Sequence, residues 1–274
     1  MLRAAVLGSP VSHSLSPVLH RAGYRELGLT EWEYGRHEVD AAGLAGFVEG
    51  LDDTWRGLSL TMPLKDAGLS VAVDATEVAR RAGAANTLVR RDDGGWDADN
   101  TDVAGVLEAL AGHLPDRPER ALVLGAGATA RSCVLALARL GVRTLTVRAR
   151  DTSRAADLLA WSMDAAGMRN GSVATLDPWV TTTDDVVVST VPPAGAEDVA
   201  ATVPATHRGV FLDVVYADWP TLPARAAAAA GMTVVSGTEM LVHQAAAQFR
   251  LFTGLAAPVA QMRSAGLRAL GGEP

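Results

Sequence analysis

Cysteine is nearly absent: Cys133 is the only one in 274 residues. One thiol cannot close an intramolecular disulfide or build a multi-cysteine metal site. Placed after a glycine-rich turn, it reads as a small core residue. Long apolar runs are missing too. The best stretch, Ala226 to Val235, follows Arg225 and is interrupted by Gly231, far short of the ~20 residues that span a bilayer. Near the N-terminus, Ala4 to Leu7 gives way to Gly8-Ser9-Pro10, too soon for the apolar core of a signal peptide. The expectation is a soluble, cytoplasmic protein. Positive charge is sparse and unclustered, with 24 Lys and Arg against 31 Asp and Glu and a formal net charge of −7. That balance argues against nucleic-acid or membrane partners, so local groups must hold any anionic ligand. His13, His20 and His243 lack metal-ligand spacing as a set, and no metal is required. Aromatic residues make up only 5%; Trp161, Trp179 and Trp219 are expected to pack.

What is present suffices for a sizeable core. With 49% apolar and 20% charged residues, the chain is not disordered, and its length favours two domains. From Arg3 to about Asp102, short strands such as Ala4 to Leu7 alternate with amphipathic stretches at Val18 to Leu27 and Ala42 to Leu51. Thr87 to Arg91 followed by Gly94-Gly95 reads as a strand and a turn. A helical pattern from Val103 to Leu114 stops at Pro115 and Pro118. Then Ala121-Leu122-Val123-Leu124 suits a strand buried on both faces. A helix through Leu140, a strand at Thr144 to Val147 and a helix at Arg154 to Ala165 follow. Strands at Asp185 to Thr190 and Val210 to Val215 complete a βαβ alternation, hence a parallel sheet covered by helices. After Gly237 the chain is helical again, broken near Gly254 and Pro258.

Gly125-Ala126-Gly127-Ala128-Thr129-Ala130 joins the buried strand to a helix. In that context the pattern predicts a dinucleotide site. The first glycine permits the tight turn, and the second lets backbone approach a pyrophosphate. Ala130 allows close helix packing, and the helix N-terminus faces the phosphates. At the end of the next strand, arginines dominate in Arg148 to Arg154. A guanidinium suits a 2′-phosphate, which favours NADP; Asp151 could instead hold a ribose diol, as in NAD.

The first section carries polar residues in a suggestive order. Ser16 before Pro17 reads as a hydroxyl N-cap with proline at the first helical position. Ser14 and Ser16 at a positive helix end would also seat a carboxylate. Lys65 follows a short strand ending at Pro63. In a cleft it would donate a proton to a developing alkoxide, beside a carboxylate that orients it. Asp102 is the candidate carboxylate, although Asn100, Thr101 or Asp102 could simply cap the following helix. Asn86 could be a turn residue.

Taken together, these segments resemble the shikimate dehydrogenase family. The resemblance runs in order through Ser14-Leu15-Ser16-Pro17, Thr61-Met62-Pro63-Leu64-Lys65, Asn86-Thr87, Asn100-Thr101-Asp102 and Gly125 to Arg131. It continues with Arg150, Arg154-Ala155, Ser189 to Pro192, Asp213 to Tyr216 and Gly237 to Ala246. It implies a two-domain α/β fold with a cleft between the domains. An N-terminal α/β substrate domain, residues 1–102 and 238–274, is paired with a Rossmann-type doubly wound NADP-binding domain, residues 103–237. The implied reaction is the reduction of 3-dehydroshikimate to shikimate with NADPH. Lys65 and Asp102 would be the catalytic pair, Ser14 and Ser16 would hold the carboxylate, and Thr61, Asn86 and Gln244 would bond ring hydroxyls or carboxylate. Tyr216 and Met240 would line the substrate and nicotinamide region. Gly125 to Ala130, Thr190 and Gly237 would join the cofactor site, with Arg150 and Arg154 meeting the 2′-phosphate. Ser59 stands where the family commonly has Asn, and Ala149 and Asp151 replace the Asn and Thr flanking Arg150. Two alternatives therefore stay open: a quinate/shikimate dehydrogenase preferring NAD, and a catalytically silent NADP-binding regulator. A monomer and a homodimer both fit.

Overall fold

The computed structural model describes residues 1–177 and 184–272. Trp179 lies outside the described residues. The chain forms two compact units, Met1–Gly105 with Val242–Pro274, and Val106–Leu241.

The first unit starts with β1 (Leu2–Gly8), α1 (Ser16–Glu26), β2 (Trp32–Glu38), α2 (Leu44–Glu49) and β3 (Trp55–Leu60). β4 (Asp74–Ala75), α3 (Glu77–Ala82), β5 (Thr87–Arg90) and β6 (Trp96–Asp99) follow, and α4 (Asp102–Leu110) leads out of the unit. The strands order β2-β1-β3-β5-β6-β4. β1 runs parallel to β2 and β3, whereas β5 is antiparallel to both β3 and β6, so this sheet is mixed. Strand periodicity sorts β3 between two faces. Leu58 and Leu60 join a core with Leu7, Leu44, Val48 and Leu88. Gly57 and Ser59 point the other way, toward α9 (Gly237–Thr253). A Cβ on Gly57 would stand 2.0 Å from the Phe252 ring, so only glycine lets the helix lie this close. The tail closes with α10 (Val259–Ala269), which packs on α1.

The second unit comprises β7 (Arg120–Leu124), α5 (Ala128–Leu140), β8 (Thr144–Arg148), α6 (Thr152–Ala165) and β9 (Asn170–Ala174). β10 (Val186–Ser189), α7 (Ala196–Thr202), β11 (Val210–Asp213), α8 (Leu222–Ala229) and β12 (Thr233–Ser236) complete it. Its strands order β12-β11-β10-β7-β8-β9, all parallel. This is the doubly wound order, reversing direction at the β7/β10 pair. β7, β10 and β11 are buried throughout apart from Arg120, as the continuous apolar runs require. Among the described residues no helix is long and apolar enough to cross a membrane.

Several local expectations are corrected. Ser16 does not cap α1: it is the first helical residue, and Leu15 occupies the cap without a side-chain bond. The Ser16 N–H instead donates to Ser14 Oγ at 3.3 Å, so the upstream serine does the satisfying. The helix expected to reach Leu114 ends at Leu110, where Gly112 turns left-handed at φ 76°. Trp219 is exposed on a turn rather than packed. β2, β9 and β12 lacked a clean period-two pattern and were not anticipated as strands.

Candidate active site

Four separated pieces of the first unit place Lys65, Asn86, Asp102 and Gln244 together. The chain leaves β3, turns through Thr61 to Leu64 and delivers Lys65; the Leu64 N–H bonds the Thr61 carbonyl at 2.7 Å. Asp102 opens α4. Lys65 Nζ and Asp102 Oδ2 are 2.6 Å apart, with side chains 18% and 5% exposed. Removing two charges from water is costly, so a pair this deep is not kept for stability. Its value is positional: each charge holds the other in place, and the ammonium is aimed from one fixed point as a proton donor.

Asn86 braces the pair. Its Nδ2 donates to Asp102 Oδ1 at 2.8 Å and to Thr101 Oγ1 at 2.9 Å, and it lies 3.3 Å from Gln244 Oε1. Asn86 is therefore more than a turn residue. Gln244 comes from α9, which brings the chain's tail to the site. Ser14 and Ser16 stand together, hydroxyl to hydroxyl at 3.3 Å. Thr61 is half-buried and makes no side-chain hydrogen bond among the described residues. Tyr34, Thr87 and Gln248, to which the sequence assigns no role, join Ser59 as buried polar residues of this unit. Burial pushes the Tyr34 phenol well above its usual range, with hydrogen bonds to Ser59 and Ser16 only partly offsetting it. Gln248 had one usable signal, its i+4 spacing from Gln244 on a helix. Tyr34, in a half-polar edge strand, had none.

The turn after β7 in the second unit is built differently. Gly125 sits at φ 103°, and a Cβ there would lie 2.5 Å from Thr190 Oγ1. Thr190 itself is tied to the Leu124 carbonyl at 3.0 Å. Gly127 occupies the N-cap of α5 with no side-chain cap, and its missing Cβ would meet nothing within 4 Å. This is an open backbone cradle at a helix N-terminus, and it suits a pyrophosphate. Ala130 is fully buried, so α5 packs tightly on the sheet.

Beyond β8, Arg150 and Arg154 are exposed. Asp151 caps α6, accepting from the Ser153 and Arg154 N–H groups at 3.0 and 3.2 Å. Past β11, Asp213 brackets the loop carrying Tyr216: it accepts from Val215 N–H at 3.1 Å and from Thr221 Oγ1 at 2.6 Å. Burial pushes the Asp213 carboxyl up. A Cβ on Gly237 would lie 2.4 Å from the Val214 carbonyl, so the start of α9, with buried Met240, abuts that loop.

Comparison with known proteins gives these features a family. Residues 6–88 match the model of the shikimate dehydrogenase substrate binding domain, and residues 237–265 that of the shikimate 5'-dehydrogenase C-terminal domain. The chain is 37% identical to the shikimate dehydrogenase (NADP(+)) of Natronomonas pharaonis, over 95% of this chain and 96% of that one. The crystal structure of Mycobacterium tuberculosis shikimate dehydrogenase superposes with a TM-score of 0.86 at 43% identity, covering 97% and 99% of the two chains. The Thermus thermophilus shikimate 5-dehydrogenase, solved with NADP(H) and shikimate, gives 0.85 at 36% identity, covering 98% and 100%. Matched at this level over nearly its whole length, the chain belongs to the shikimate dehydrogenase family.

Proposed function

We propose that this protein catalyses the reversible reduction of 3-dehydroshikimate to shikimate with NADPH. The observation that carries this reading is the Lys65–Asp102 pair, 2.6 Å apart and braced by Asn86. NADPH supplies the hydride when bound. The chain's own residues supply orientation and the proton. As the ring ketone becomes an alkoxide, Lys65 Nζ gives it a proton; Asp102 holds Lys65 and the substrate hydroxyl in line. In the oxidation direction the same proton returns to Lys65. Ser14 and Ser16 hold the carboxylate, Thr61, Asn86 and Gln244 bond the ring hydroxyls or carboxylate, and Tyr216 lines the substrate and nicotinamide region.

The first compact unit is the substrate domain in this reading, and the second binds the cofactor. Backbone from Gly125 to Ala130 receives the pyrophosphate, with Thr190, Gly237 and Met240 lining the remaining cofactor surface. Arg150 and Arg154 take the 2′-phosphate. Asp151 is engaged in capping α6, which supports NADP over a ribose diol held by a carboxylate. A diffusible substrate and cofactor suit a cytoplasmic enzyme, as a monomer or a homodimer.

The test is a steady-state assay crossing shikimate and quinate with NADP and NAD. Shikimate with NADP should give the highest kcat/KM. A preference for quinate with NAD would overturn the substrate and cofactor assignment, and NADP binding without any turnover would overturn the catalytic one.

A further inference from the structure

Behind the Lys65–Asp102 pair lies a run of buried hydrogen bonds whose direction can be worked out atom by atom. Two backbone groups set it. The Thr101 N–H only donates, and it meets Asn86 Oδ1 at 2.8 Å, so Asn86 Nδ2 faces Asp102. The Asn86 carbonyl only accepts, and it meets Gln248 Nε2 at 3.1 Å, so Gln248 Oε1 points away from it. The hydroxyls then follow. Ser59 directs its proton to Gln248 Oε1 at 2.7 Å, which makes the Tyr34 phenol the donor to Ser59 Oγ at 2.6 Å. Thr87 Oγ1 accepts from Gln248 Nε2 at 2.9 Å and gives its own proton to Asn86 Oδ1 at 2.7 Å. One head-to-tail series results, from Tyr34 through Ser59, Gln248, Thr87 and Asn86 to Asp102. None of the six is more than 4% exposed.

We propose that Gln248 is a positioning residue for the reaction: by filling the acceptor side of the Thr87 hydroxyl, it locks the Asn86 amide with N–H toward Asp102. The inference rests on the roles given above to Lys65 and Asp102. A flipped Asn86 would set its carbonyl oxygen against the Asp102 carboxylate and push Oδ2 off Lys65. That flip is blocked because Nδ2 would then face two donors, the Thr87 O–H and the Thr101 N–H. Gln248 never touches the pair. It acts through Thr87 and Asn86, in a buried setting where a misdirected donor has no water to turn to.

The test uses the full-length enzyme and shikimate oxidation by NADP. Gln248→Glu keeps the side-chain shape but offers Thr87 no N–H, and Thr87→Val keeps the shape without the hydroxyl. Both should lose at least about tenfold in kcat, while KM for shikimate moves by less than about threefold. Thr87→Ser restores the hydroxyl and should recover kcat to within about threefold of wild type. Thermal melts accompany the kinetics, and should Gln248→Glu fail to fold, the Thr87→Val and Thr87→Ser pair decides. Absence of turnover in the wild type would overturn the functional reading and this inference together. With an active wild type, the positioning role alone is overturned if the variants keep kcat within about twofold. A loss lying in KM, or a Thr87→Ser as slow as Thr87→Val, would overturn it equally.

Discussion

At Lys65 and Asp102 the chain converges side chains from four separate stretches, whereas from Gly125 to Ala130 it carries only small side chains, with glycine at the two positions nearest the turn. The first site is dense and buried, and its polar atoms answer one another across sequence separations of up to 189 residues, as between Ser59 and Gln248. The second is open: Gly127 has no heavy atom within 4 Å of where a Cβ would be. The contrast follows from what each must hold. Proton transfer needs a donor at one fixed point, so side chains are locked from behind. A pyrophosphate is met by backbone N–H groups that the helix start already aligns, and the chain need only stay out of the way.

The largest expected effect removes the proton donor. Lys65→Ala should lower kcat by roughly 10²–10⁴-fold, with a smaller change in KM, because it deletes a group needed only as the alkoxide forms. Steady-state kinetics at saturating NADP measure it; near-full turnover would leave the buried pair with a structural role only.

Next comes a pH effect confined to the side-chain-dense unit. His20 is fully buried and stacked on Tyr34, ring centroids 4.1 Å apart. Neither ring nitrogen has a bond of normal geometry; burial lowers its pKa from 6.5 to about 3, with Gln248 opposing weakly. The unfolded chain therefore binds a proton below pH 6.5 that the folded chain refuses. Stability is full above 6.5 and falls with acidity down to about 3, a loss of about 2 kcal/mol by pH 5. Urea unfolding at pH 7 and pH 5 should show wild type losing that much more than His20→Leu. An equal acid loss in both would mean that His20 takes up its proton within the fold.

The smallest effect is the sharpest probe of the open site. Gly127→Ala adds a methyl group where the protein has room, at φ −96°, so the melting temperature should stay within a degree or two of wild type, since unstrained surface changes cost about 0.5 kcal/mol or less. The same methyl intrudes where the cofactor's phosphates would lie, and NADPH affinity should drop severalfold. An unchanged Kd by fluorescence titration would move the phosphates elsewhere.

The same contrast explains what could be read from sequence. The glycine-rich turn is contiguous, and its meaning sits in six adjacent letters between a strand and a helix, as does the βαβ alternation around it. The catalytic constellation is dispersed. Lys65, Asp102 and Asn86 each have an ordinary alternative as surface charge, cap or turn, and nothing local joins them; only the ordered resemblance did. Tyr34, Thr87 and Gln248 went unread, and Ser59 stood out only as a departure from the family, because their roles depend on which face of a mixed sheet α9 covers, a long-range fact. The Ser16 cap was misread for a related reason: the local pattern fits a cap, but Ser14 supplies the bond. β9, reading Asn-Gly-Ser-Val-Ala, is held by pairing with β8 rather than by its own propensity.

The helix α9 begins in one compact unit and ends in the other, since the division falls between Leu241 and Val242. During synthesis this inverts the expected order. The residues of β1 to β6 are made before α9 and α10, yet the face of their sheet around Gly57 waits for Phe252, and α1 waits for α10. The second unit, continuous from Val106 to Leu241, is complete while the first still lacks its cover. The unit whose strands are made earlier is thus finished later, and the Gln244 and Gln248 side of its site is supplied only after the second unit is complete.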